Sequence, residues 1–306
     1  MAKCLVIGGN GFVGSWIVDE LVARGHDVTA LDRFSAGSTT YRSDRVTRLV
    51  GDFMNHSTVR EALAGQEFVL HFLSTTTPAS AENDPTLDVR TNIASSIELF
   101  QMCVSAGVSC VYFASTGGAI YGDQPAGAIR EDALPLPISP YAIGKLTIEH
   151  YLRYFHRKFG LKSVSFRISN PYGPRQHSNK TQGVIPIFLN AARRGEPLVR
   201  YGDGSMVRDF IYVEDAAKLI ANVVGQRVNY DVYNIGSGSG HSVSEVLQVV
   251  REVSGIEVEV IERVQPSTYV DHIVLDTFRY AQEFGMIDFV SLHEGVKRTW
   301  TELIQS

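Results

Sequence analysis

Short apolar runs alternate with longer segments of helical periodicity through the first half of the chain. Five runs predict buried strands: KCLVIGG, DVTALDR, VTRLVGD, FVLHFLS and CVYFAST, which begin at Lys3, Asp27, Val46, Phe68 and Cys110. Helical patterns, with apolar residues close to a 3.6-residue period, cover residues 14–25, 88–107 and 139–160, and the run KSVSFRIS follows the last of them. This alternation predicts an α/β fold, a doubly wound parallel sheet with helices on both faces.

The pattern loosens after residue 170. GVIPIFLNAARRG predicts a helix, VRDFIYVEDAAKLIANVVG a strand and then a helix, and YDVYNIGSG another strand. A further helix follows Ser242, which predicts a capping box with Glu245 three residues on. We expect residues 1–170 to form the first domain, with 211–236 returning to it. Residues 171–306 then form a smaller lobe over the carboxyl ends of the strands, where open α/β sheets bind ligands.

Composition narrows the classes of function. The 306 residues carry a net charge of −5, which argues against nucleic acid and anionic membranes as partners. No run reaches the ~18 apolar residues of a membrane span, and MAKCLVIGGNGF does not have the pattern of a signal peptide. Cys4, Cys103 and Cys110 lie in apolar surroundings and are predicted to be reduced core residues of a cytoplasmic protein. The nine histidines show no ligand spacing, so no metal site is expected.

A glycine-rich turn between the first strand and the first helix is typical of dinucleotide sites. Gly8, Gly11 and Gly14 leave the backbone bare where a pyrophosphate would meet the helix N-terminus. Asp32 ends the second strand, 18 residues beyond the last glycine, where a carboxylate accepts both ribose hydroxyls. That placement favours NAD. Arg33 follows directly and would suit a 2′-phosphate, so NADP stays open.

A Tyr-x-x-x-Lys pair lies on the helix predicted over residues 139–160. Tyr141 and Lys145 are four residues apart, so they share one helix face. An ammonium near the phenol is expected to lower its pKa, and such a tyrosine can take a proton from a sugar hydroxyl. Ser115 and Thr116, at the end of the fifth predicted strand, place hydroxyls upstream of this pair.

Taken together, these motifs resemble the extended short-chain dehydrogenase/reductase family, and most closely its NAD-dependent nucleotide-sugar epimerases and dehydratases of the UDP-glucose 4-epimerase group. The resemblance rests on GGNGFVG, GDF, HFLS, STGGAIYG, SPYAIGK, RISNPYGPRQ, GDGSMVRDFIYVED and YNIGSGSG and covers nearly the whole chain. It implies a Rossmann-type domain that holds NAD, and a C-terminal α/β lobe that binds a nucleotide-diphosphate sugar. It also implies a homodimer formed by helices around residues 92–107 and 141–158.

The resemblance assigns roles to individual residues. It makes Tyr141 the catalytic base and Lys145 the residue that holds the nicotinamide ribose, with Ser115 or Thr116 as the hydroxyl at the reacting carbon. It makes Asn170 a substrate contact, and Arg208 a contact of the diphosphate. The alternative for Arg208 is an ion pair with Asp209 or Asp203. Besides Tyr141 and Lys145, the implied cofactor contacts are Gly8, Gly11, Phe12, Val13, Asp32, Arg33, Asp52, Phe53 and Leu73. Asp52, expected to accept from the adenine amine, is equally compatible with a turn.

The chain departs from the pattern of this family at two places. Where the epimerases carry an Arg-Pro-Gly-Asp-like segment whose arginine grips the diphosphate, this chain has the uncharged Gln265, with Arg263 two residues earlier as a possible substitute. Aligned on Tyr121 and Gly122, the usual hydroxyl position falls on Gly117. We therefore expect Thr116 to supply the hydroxyl, with Ser115 as the alternative.

The glycines after Thr116 bear on the reaction. Dehydratases of the family place Asp-Glu directly after the threonine, and decarboxylases place a glutamate there, whereas this chain has Gly117 and Gly118. Glycines supply no acid or base, so the sequence favours an epimerase that inverts C4 of a UDP-glucose-type sugar through a 4-keto intermediate. The alternatives are a reductase, dehydrogenase or dehydratase on the same scaffold, or a non-catalytic dinucleotide sensor, which the Tyr-x-x-x-Lys pair disfavours.

Overall fold

The computed structural model describes residues 1–35, 41–125, 127–176, 183–266, 268–285 and 287–305. The chain divides into two compact units, each built from three stretches of sequence. The first unit comprises residues 1–116, 139–167 and 217–233, and the second comprises 117–138, 168–216 and 234–306.

A seven-stranded sheet forms the centre of the first unit. Its strands are β1 (Lys3–Ile7), β2 (Asp27–Asp32), β3 (Thr47–Val50), β4 (Phe68–His71), β5 (Cys110–Thr116), β6 (Lys162–Ile168) and β10 (Val232–Ile235). Their order is β10-β6-β5-β4-β1-β2-β3. The pairs β1–β2, β2–β3, β1–β4 and β4–β5 are parallel. Because the direction of winding reverses between β1 and β4, the sheet is doubly wound, which confirms the predicted Rossmann-type fold.

The helices that flank this sheet are α1 (Phe12–Ala23), α2 (His56–Leu63), α3 (Pro78–Asn83), α4 (Pro85–Asp88), α5 (Ala94–Ala106), α6 (Pro140–Phe159) and α8 (Val213–Val223), the last of which begins in the second unit. A π-helical turn, Val89–Ile93, separates α4 from α5. The single helix predicted over residues 88–107 is therefore interrupted, and Asn92 lies inside the π-helical turn rather than at a helix start. The longest of these helices is α6, with 20 residues. Ser139 is its N-cap, and Gly160 ends it in the left-handed conformation.

The core of the first unit lies between the sheet and α5 and α6. It contains Leu5, Ile7, Val69, Val111 and Phe113 from the strands, and Leu99, Phe100, Cys103, Ile148, Leu152 and Phe155 from the helices. Cys4, Cys103 and Cys110 are buried and free of disulfides, as predicted for core residues. Burial raises the pKa of all three thiols, to about 12, about 12 and about 11. No helix among the described residues is long and apolar enough to cross a membrane.

Smaller sheets and four helices make up the second unit. Its strands are β7 (Asn170–Tyr172), β8 (Leu198–Tyr201), β9 (Val207–Tyr212), β11 (Gly240–Ser242), β12 (Val260–Arg263) and β13 (His272–Ile273). Its helices are α7 (Val184–Arg194), α9 (Val243–Ser254), α10 (Phe278–Phe284) and α11 (Leu292–Gln305). Strand β9 is central, because β7, β11 and β13 all pair with it. The predicted capping box of Ser242 and Glu245 at the start of α9 is confirmed.

A buried carboxylate on β9 organises the backbone of the second unit. Asp209 is 0% exposed, and its Oδ1 accepts from Ser237 N (2.8 Å) and Ser237 Oγ (2.7 Å). Its Oδ2 accepts from Gly238 N at 3.2 Å and Leu275 N at 3.3 Å. Burial raises the pKa of Asp209, and these hydrogen bonds oppose that rise. Asp209 thus holds the turn after β10 and the segment after β13 against β9.

We expect Asp209→Asn to lower the free energy of unfolding by roughly 2–3 kcal/mol, because an amide NH₂ in place of Oδ2 would face two backbone donors. Denaturant titration of the purified protein measures the loss. Asp203→Asn is the control, since Asp203 is exposed and its main partners belong to Ser205. Equal stability of the two variants would contradict this role of Asp209.

Candidate active site

The glycine turn after β1 is shaped by the close approach of backbone segments. Gly8 has a φ of +86°, and a Cβ there would lie 2.8 Å from the backbone nitrogen of Leu73, which follows β4. A Cβ on Gly14 would lie 2.1 Å from the carbonyl oxygen of Gly8. Both glycines are therefore required for packing at the point where the winding of the sheet reverses. The predicted cofactor contact Leu73 is part of this close approach.

The N-terminus of α1 fits a dinucleotide pyrophosphate. Gly11 is its N-cap, no side chain of the described residues caps the helix, and its first turn carries no acidic residue. Phe12 and Val13, the first helical residues, are half-buried. The N–H groups at such a terminus have no intrahelical acceptors, and the helix dipole favours an anion beside them. The residues present thus leave this end of α1 open to a phosphate.

Asp32 lies beside this turn, at the end of β2. Its Oδ2 accepts from Asn10 N at 3.1 Å and its Oδ1 from Phe34 N at 3.4 Å, which fixes the carboxylate next to the glycines. A carboxylate has about four acceptor sites, so capacity remains for both ribose hydroxyls. The adjacent Arg33 is exposed. This geometry fits the ribose of a dinucleotide that lacks a 2′-phosphate.

Asp52 and Phe53, the cofactor contacts predicted after β3, also make contacts within the protein. Asp52 is exposed, and its Oδ1 accepts from Met54 N at 2.8 Å, which is the turn role left open by the sequence. Phe53 is buried with its ring 5.2 Å from that of His71. His71 Nε2 lies 2.9 Å from Ser96 Oγ, and burial lowers the pKa of His71 to about 3. His71 is therefore a neutral histidine of the core.

Tyr141 and Lys145 lie on one face of α6, as their spacing predicts. The Lys145 side chain is buried, and its Nζ donates to the carbonyl oxygen of Ala114 on β5 at 2.8 Å. The same Nζ lies 4.8 Å from the ring centroid of Phe113 and 5.6 Å from that of Tyr141. A hydrogen bond and two aromatic faces therefore hold the ammonium at the end of β5.

Burial controls the protonation of this pair. It lowers the pKa of Lys145 to about 8, while the negative charges of Asp88 and Glu149 oppose that fall. It raises the pKa of Tyr141 to about 12, and the charge of Asp88 raises it further. The lowered tyrosine pKa expected from sequence is thus wrong for the protein by itself, because desolvation outweighs the nearby ammonium. At neutral pH the phenol carries its proton.

The hydroxyl of Ser115 is committed to a buried ion pair. Ser115 Oγ donates to Glu149 Oε1 at 2.5 Å. Arg167 on β6 grips the same carboxylate with two nitrogens, at 3.2 Å from Oε1 and 2.8 Å from Oε2. The side chains of Glu149 and Arg167 are only 8% and 6% exposed, so the charged pair is almost fully desolvated. Ser115 therefore belongs to a structural network.

Thr116 differs from the adjacent Ser115 in the hydrogen bonding of its hydroxyl. It is the last residue of β5, directly before Gly117 and Gly118. No described residue shares a hydrogen bond with its hydroxyl, although the residue is only 9% exposed. Between the two hydroxyls that the sequence offers, the geometry favours Thr116 as the one available to a substrate.

Three charged residues around Lys145 were not singled out from sequence. Glu149 continues the four-residue spacing of Tyr141 and Lys145 along α6, and this regularity was the available signal. Arg167 and Asp88 gave no such signal, because their connection to α6 exists only once β6 and the π-helical turn are packed beside it.

Asn170, the predicted substrate contact of the second unit, lies at the start of β7. Its Nδ2 donates to the carbonyl oxygen of Asp209 at 3.0 Å. A Cβ built on Gly118 would lie 3.2 Å from Asn170 Oδ1 and 3.4 Å from its Nδ2. Asn170 therefore packs tightly against the bare backbone of Gly118.

The guanidinium of Arg208 is directed at backbone carbonyls. It donates to Val207 O at 2.9 Å, Asp271 O at 3.3 Å and Val270 O at 2.5 Å. Burial lowers the pKa of Arg208, and the charge of Asp271 opposes that fall. The two aspartates proposed as alternative partners bond elsewhere: Asp209 to backbone N–H groups and Ser237 (above), and Asp203 to Ser205.

Gln265 is uncharged at the place where the epimerases of the family carry an arginine, so this segment lacks that positive charge. Gln265 Nε2 donates to Asp271 Oδ1 at 2.9 Å, so an amide–carboxylate pair occupies this segment. Arg263, the proposed substitute, is exposed at the end of β12. Among the described residues of this region, Arg208 is thus a half-buried cation, while Gln265 contributes hydrogen bonding alone.

Comparison with known proteins identifies the family. The model of the NAD dependent epimerase/dehydratase family matches residues 4–236. The chain belongs to this family. A putative UDP-glucose 4-epimerase of Methanocaldococcus jannaschii is 30% identical over 295 residues, which cover 96% of each chain. The crystal structure of UDP-glucose 4-epimerase from Thermotoga maritima with UDP-glucose superposes with a TM-score of 0.92 at 33% identity and covers 99% of both chains.

Enzymes of other activity are nearly as similar. The dTDP-glucose 4,6-dehydratase DesIV of Streptomyces venezuelae, as a double mutant crystallised with NAD, superposes with a TM-score of 0.90 at 27% identity, covering 99% of this chain and 97% of its own. NAD is the cofactor of the family, as the glycine turn and Asp32 predict. Relatives with different reactions thus share this fold and NAD as the cofactor.

We expect Thr116→Val to lower kcat by roughly 100-fold, because a donor to the reacting oxygen is lost. Ser115→Ala should instead lower the free energy of unfolding by about 1–2 kcal/mol, because it removes a donor from the buried carboxylate of Glu149. Turnover and thermal unfolding of both variants test the distinction. A larger loss of kcat in Ser115→Ala than in Thr116→Val would reverse the assignment.

Proposed function

We propose that this protein is an NAD-dependent epimerase that inverts C4 of a nucleotide-diphosphate sugar of the UDP-glucose type. The observation that carries the proposal is the pair of glycines after Thr116. Elimination needs an acid and a base at these two positions, and the chain has neither there.

The structure gives a physical reason for the second of these glycines. A Cβ on Gly118 would lie within 3.4 Å of both polar atoms of the Asn170 amide. A glutamate at this position would therefore require Asn170 to shift from its place against Gly118. The shift amounts to a few tenths of an ångström, so Gly118 supports epimerisation mainly because it supplies no acid or base.

The chain's own residues then have defined tasks. Bound NAD supplies the acceptor and donor of hydride for oxidation and re-reduction at C4. Tyr141 takes the proton of the C4 hydroxyl as the carbonyl forms, and returns it to the same oxygen after the keto sugar has turned its other face. Lys145 stabilises the phenolate by its positive charge and holds the nicotinamide ribose. Thr116 donates a hydrogen bond to the reacting oxygen.

The resting protonation of the pair suits only the return of the proton, whereas the first half of the cycle needs the phenolate that the charge of Lys145 stabilises. Since burial keeps the pKa of Tyr141 well above neutrality, the phenol is a proton donor at rest. Lys145, with a pKa of about 8, is mainly charged at pH 7. At pH 7 the phenol of Tyr141 therefore carries its proton and Lys145 carries its positive charge, and we place both groups beside C4.

The second unit contributes the proposed contacts of the sugar nucleotide. Asn170 and Arg208 keep the roles that the family resemblance gives them, as contacts of the sugar and of the diphosphate. The half-buried guanidinium of Arg208 suits phosphate oxygens because its fork matches their geometry. UDP is the proposed nucleotide because the related Thermotoga maritima enzyme was crystallised with UDP-glucose.

We propose a homodimer through the outer faces of α5 and α6. Ile143, Tyr151 and Tyr154 are exposed on α6, while Ile148 and Leu152 of the same helix are buried in the core. Sedimentation equilibrium should give twice the mass of the chain, and Tyr151→Glu together with Tyr154→Glu should give the single mass. A wild-type protein that sediments as a monomer would overturn the dimer.

The epimerase proposal is tested with purified protein. We expect denaturation to release about one NAD per chain, since NAD is regenerated in each cycle and need not leave. Incubation with UDP-, dTDP- and GDP-sugars, resolved by chromatography, should convert UDP-glucose into its C4 epimer without added cofactor. Turnover only with consumption of NAD(P)H would show a reductase, and loss of water from the sugar would show a dehydratase.

Tyr141→Phe should lower kcat by at least about 1000-fold while NAD is still retained, because only the proton-transferring oxygen is removed. Tyr151→Phe is the matched control, since Tyr151 is on the outer face of α6 and the change removes the same hydroxyl. Most of the activity surviving in Tyr141→Phe would show that another group is the base.

A further inference from the structure

A buried carboxylate with no assigned role lies beside the Tyr141–Lys145 pair. Asp88 is the last residue of α4, directly before the π-helical turn, and is only 3% exposed. Interruptions of this kind are frequent at functional sites because they re-aim side chains. A charged group that is so deeply buried needs compensating partners.

One oxygen of Asp88 is fixed by two neutral donors. Asp88 Oδ1 accepts from Thr76 Oγ1 at 2.5 Å and from Asn92 Nδ2 at 2.7 Å. Asn92 is itself held, because its Oδ1 accepts from the backbone nitrogen of Thr75 at 2.9 Å. The carboxylate therefore has a defined orientation set by the loop after β4 and by the π-helical turn.

The other oxygen faces α6 at a position that has no side chain. A Cβ on Gly144 would lie 2.0 Å from Asp88 Oδ2, so only glycine leaves room for the carboxylate. Gly144 directly precedes Lys145 and is three residues after Tyr141. Asp88 thus contacts the backbone of α6 between the two residues of the pair, close enough for its charge to act on both Tyr141 and Lys145.

We propose that Asp88 is a positioning residue of the active site: a buried counter-charge, aimed at α6 through the gap at Gly144, that keeps the Lys145 ammonium charged and sets the pH range in which Tyr141 exchanges its proton. The inference rests on the proposed role of Tyr141 as the base. Asp88 acts through Tyr141 and Lys145, and takes no part in bond making.

The charges around Asp88 come from two directions. Tyr141 and Lys145 face it from α6, and Glu149 is a second carboxylate whose charge acts on Lys145. On the side of α4 and the π-helical turn, Asp84 and Arg90 form a solvent-exposed pair at 3.6 Å, which water screens. Glu149 is already neutralised by Arg167. Of the two carboxylates whose charges act on Lys145, Asp88 is the one that accepts its hydrogen bonds from neutral groups.

The direction of the pH effect follows from the signs of these charges. Removing the charge of Asp88 lowers the pKa of Tyr141, because a phenolate beside a carboxylate is disfavoured. It also lowers the pKa of Lys145, because an ammonium beside a carboxylate is favoured. The active enzyme needs the phenolate and the ammonium together, so a fall in both pKa values moves both limbs of the pH–rate profile to lower pH.

The test compares Asp88→Asn with the wild-type holoenzyme. We expect both limbs of the kcat profile to move down by about one pH unit. A tyrosinate absorbance titration of the NAD-loaded protein, with the Tyr141→Phe curve subtracted, should show the same fall in the Tyr141 pKa. Asp84→Asn is the matched control, because this carboxylate lies on the same segment with its side chain 48% exposed, and it should shift neither. A lower kcat with unmoved limbs and an unmoved titration would overturn the proposal.

Gly144→Ala provides a second test that keeps all charges. Alanine favours the helix by itself, so only the clash with Asp88 Oδ2 opposes it. We expect a shift in the same direction as for Asp88→Asn, and an unchanged titration would contradict the proposed contact. The titration needs no turnover. A shifted Tyr141 pKa in a protein that is inactive on every sugar would therefore refute the proposed function and leave the role of Asp88 intact.

Discussion

The buried ammonium of Lys145 is the constraint on which the active site depends. Taking a lysine charge out of water lowers its pKa, and only nearby acceptors and negative charges keep it protonated near neutrality. The protein supplies Ala114 O at 2.8 Å, the face of the Phe113 ring, and the carboxylates of Asp88 and Glu149. These groups come from β5, α4 and α6, so one charge links several elements of the first unit.

The partners of those carboxylates extend the network into the rest of the unit. Arg167 on β6 and Ser115 on β5 hold Glu149, and Thr76 and Asn92 hold Asp88. These hydrogen bonds fix the orientations of both carboxylates at the carboxyl ends of the strands. The network also distinguishes Ser115 from Thr116, which are adjacent in sequence. One hydroxyl completes the network and the other remains outside it.

Most of the fold could be predicted from sequence because its signals are local. Strand runs, helix caps and the glycine turn depend on neighbours within a few residues, and they gave the parallel sheet, the capping box at Ser242 and the dinucleotide turn. The break in the helix predicted over residues 88–107 was missed because the π-helical turn depends on Asp88 and Asn92 bonding the distant Thr76. The expected pKa of Tyr141 failed for a similar reason, since desolvation depends on burial that a sequence pattern does not show.

The two glycines after Thr116 show how a missing side chain constrains a reaction. Gly8 and Gly14 are required by backbone approaches that every dinucleotide turn of this geometry makes, so they identify the cofactor and leave the chemistry open. At Gly118, the space next to a side chain's Cβ is taken by the amide of Asn170. The same amide donates a hydrogen bond to the backbone carbonyl of Asp209. Asp209 is in turn the buried carboxylate that orders the second unit. An acid at position 118 would thus have to displace the Asn170 amide by a few tenths of an ångström, and that amide is hydrogen-bonded to the backbone of β9.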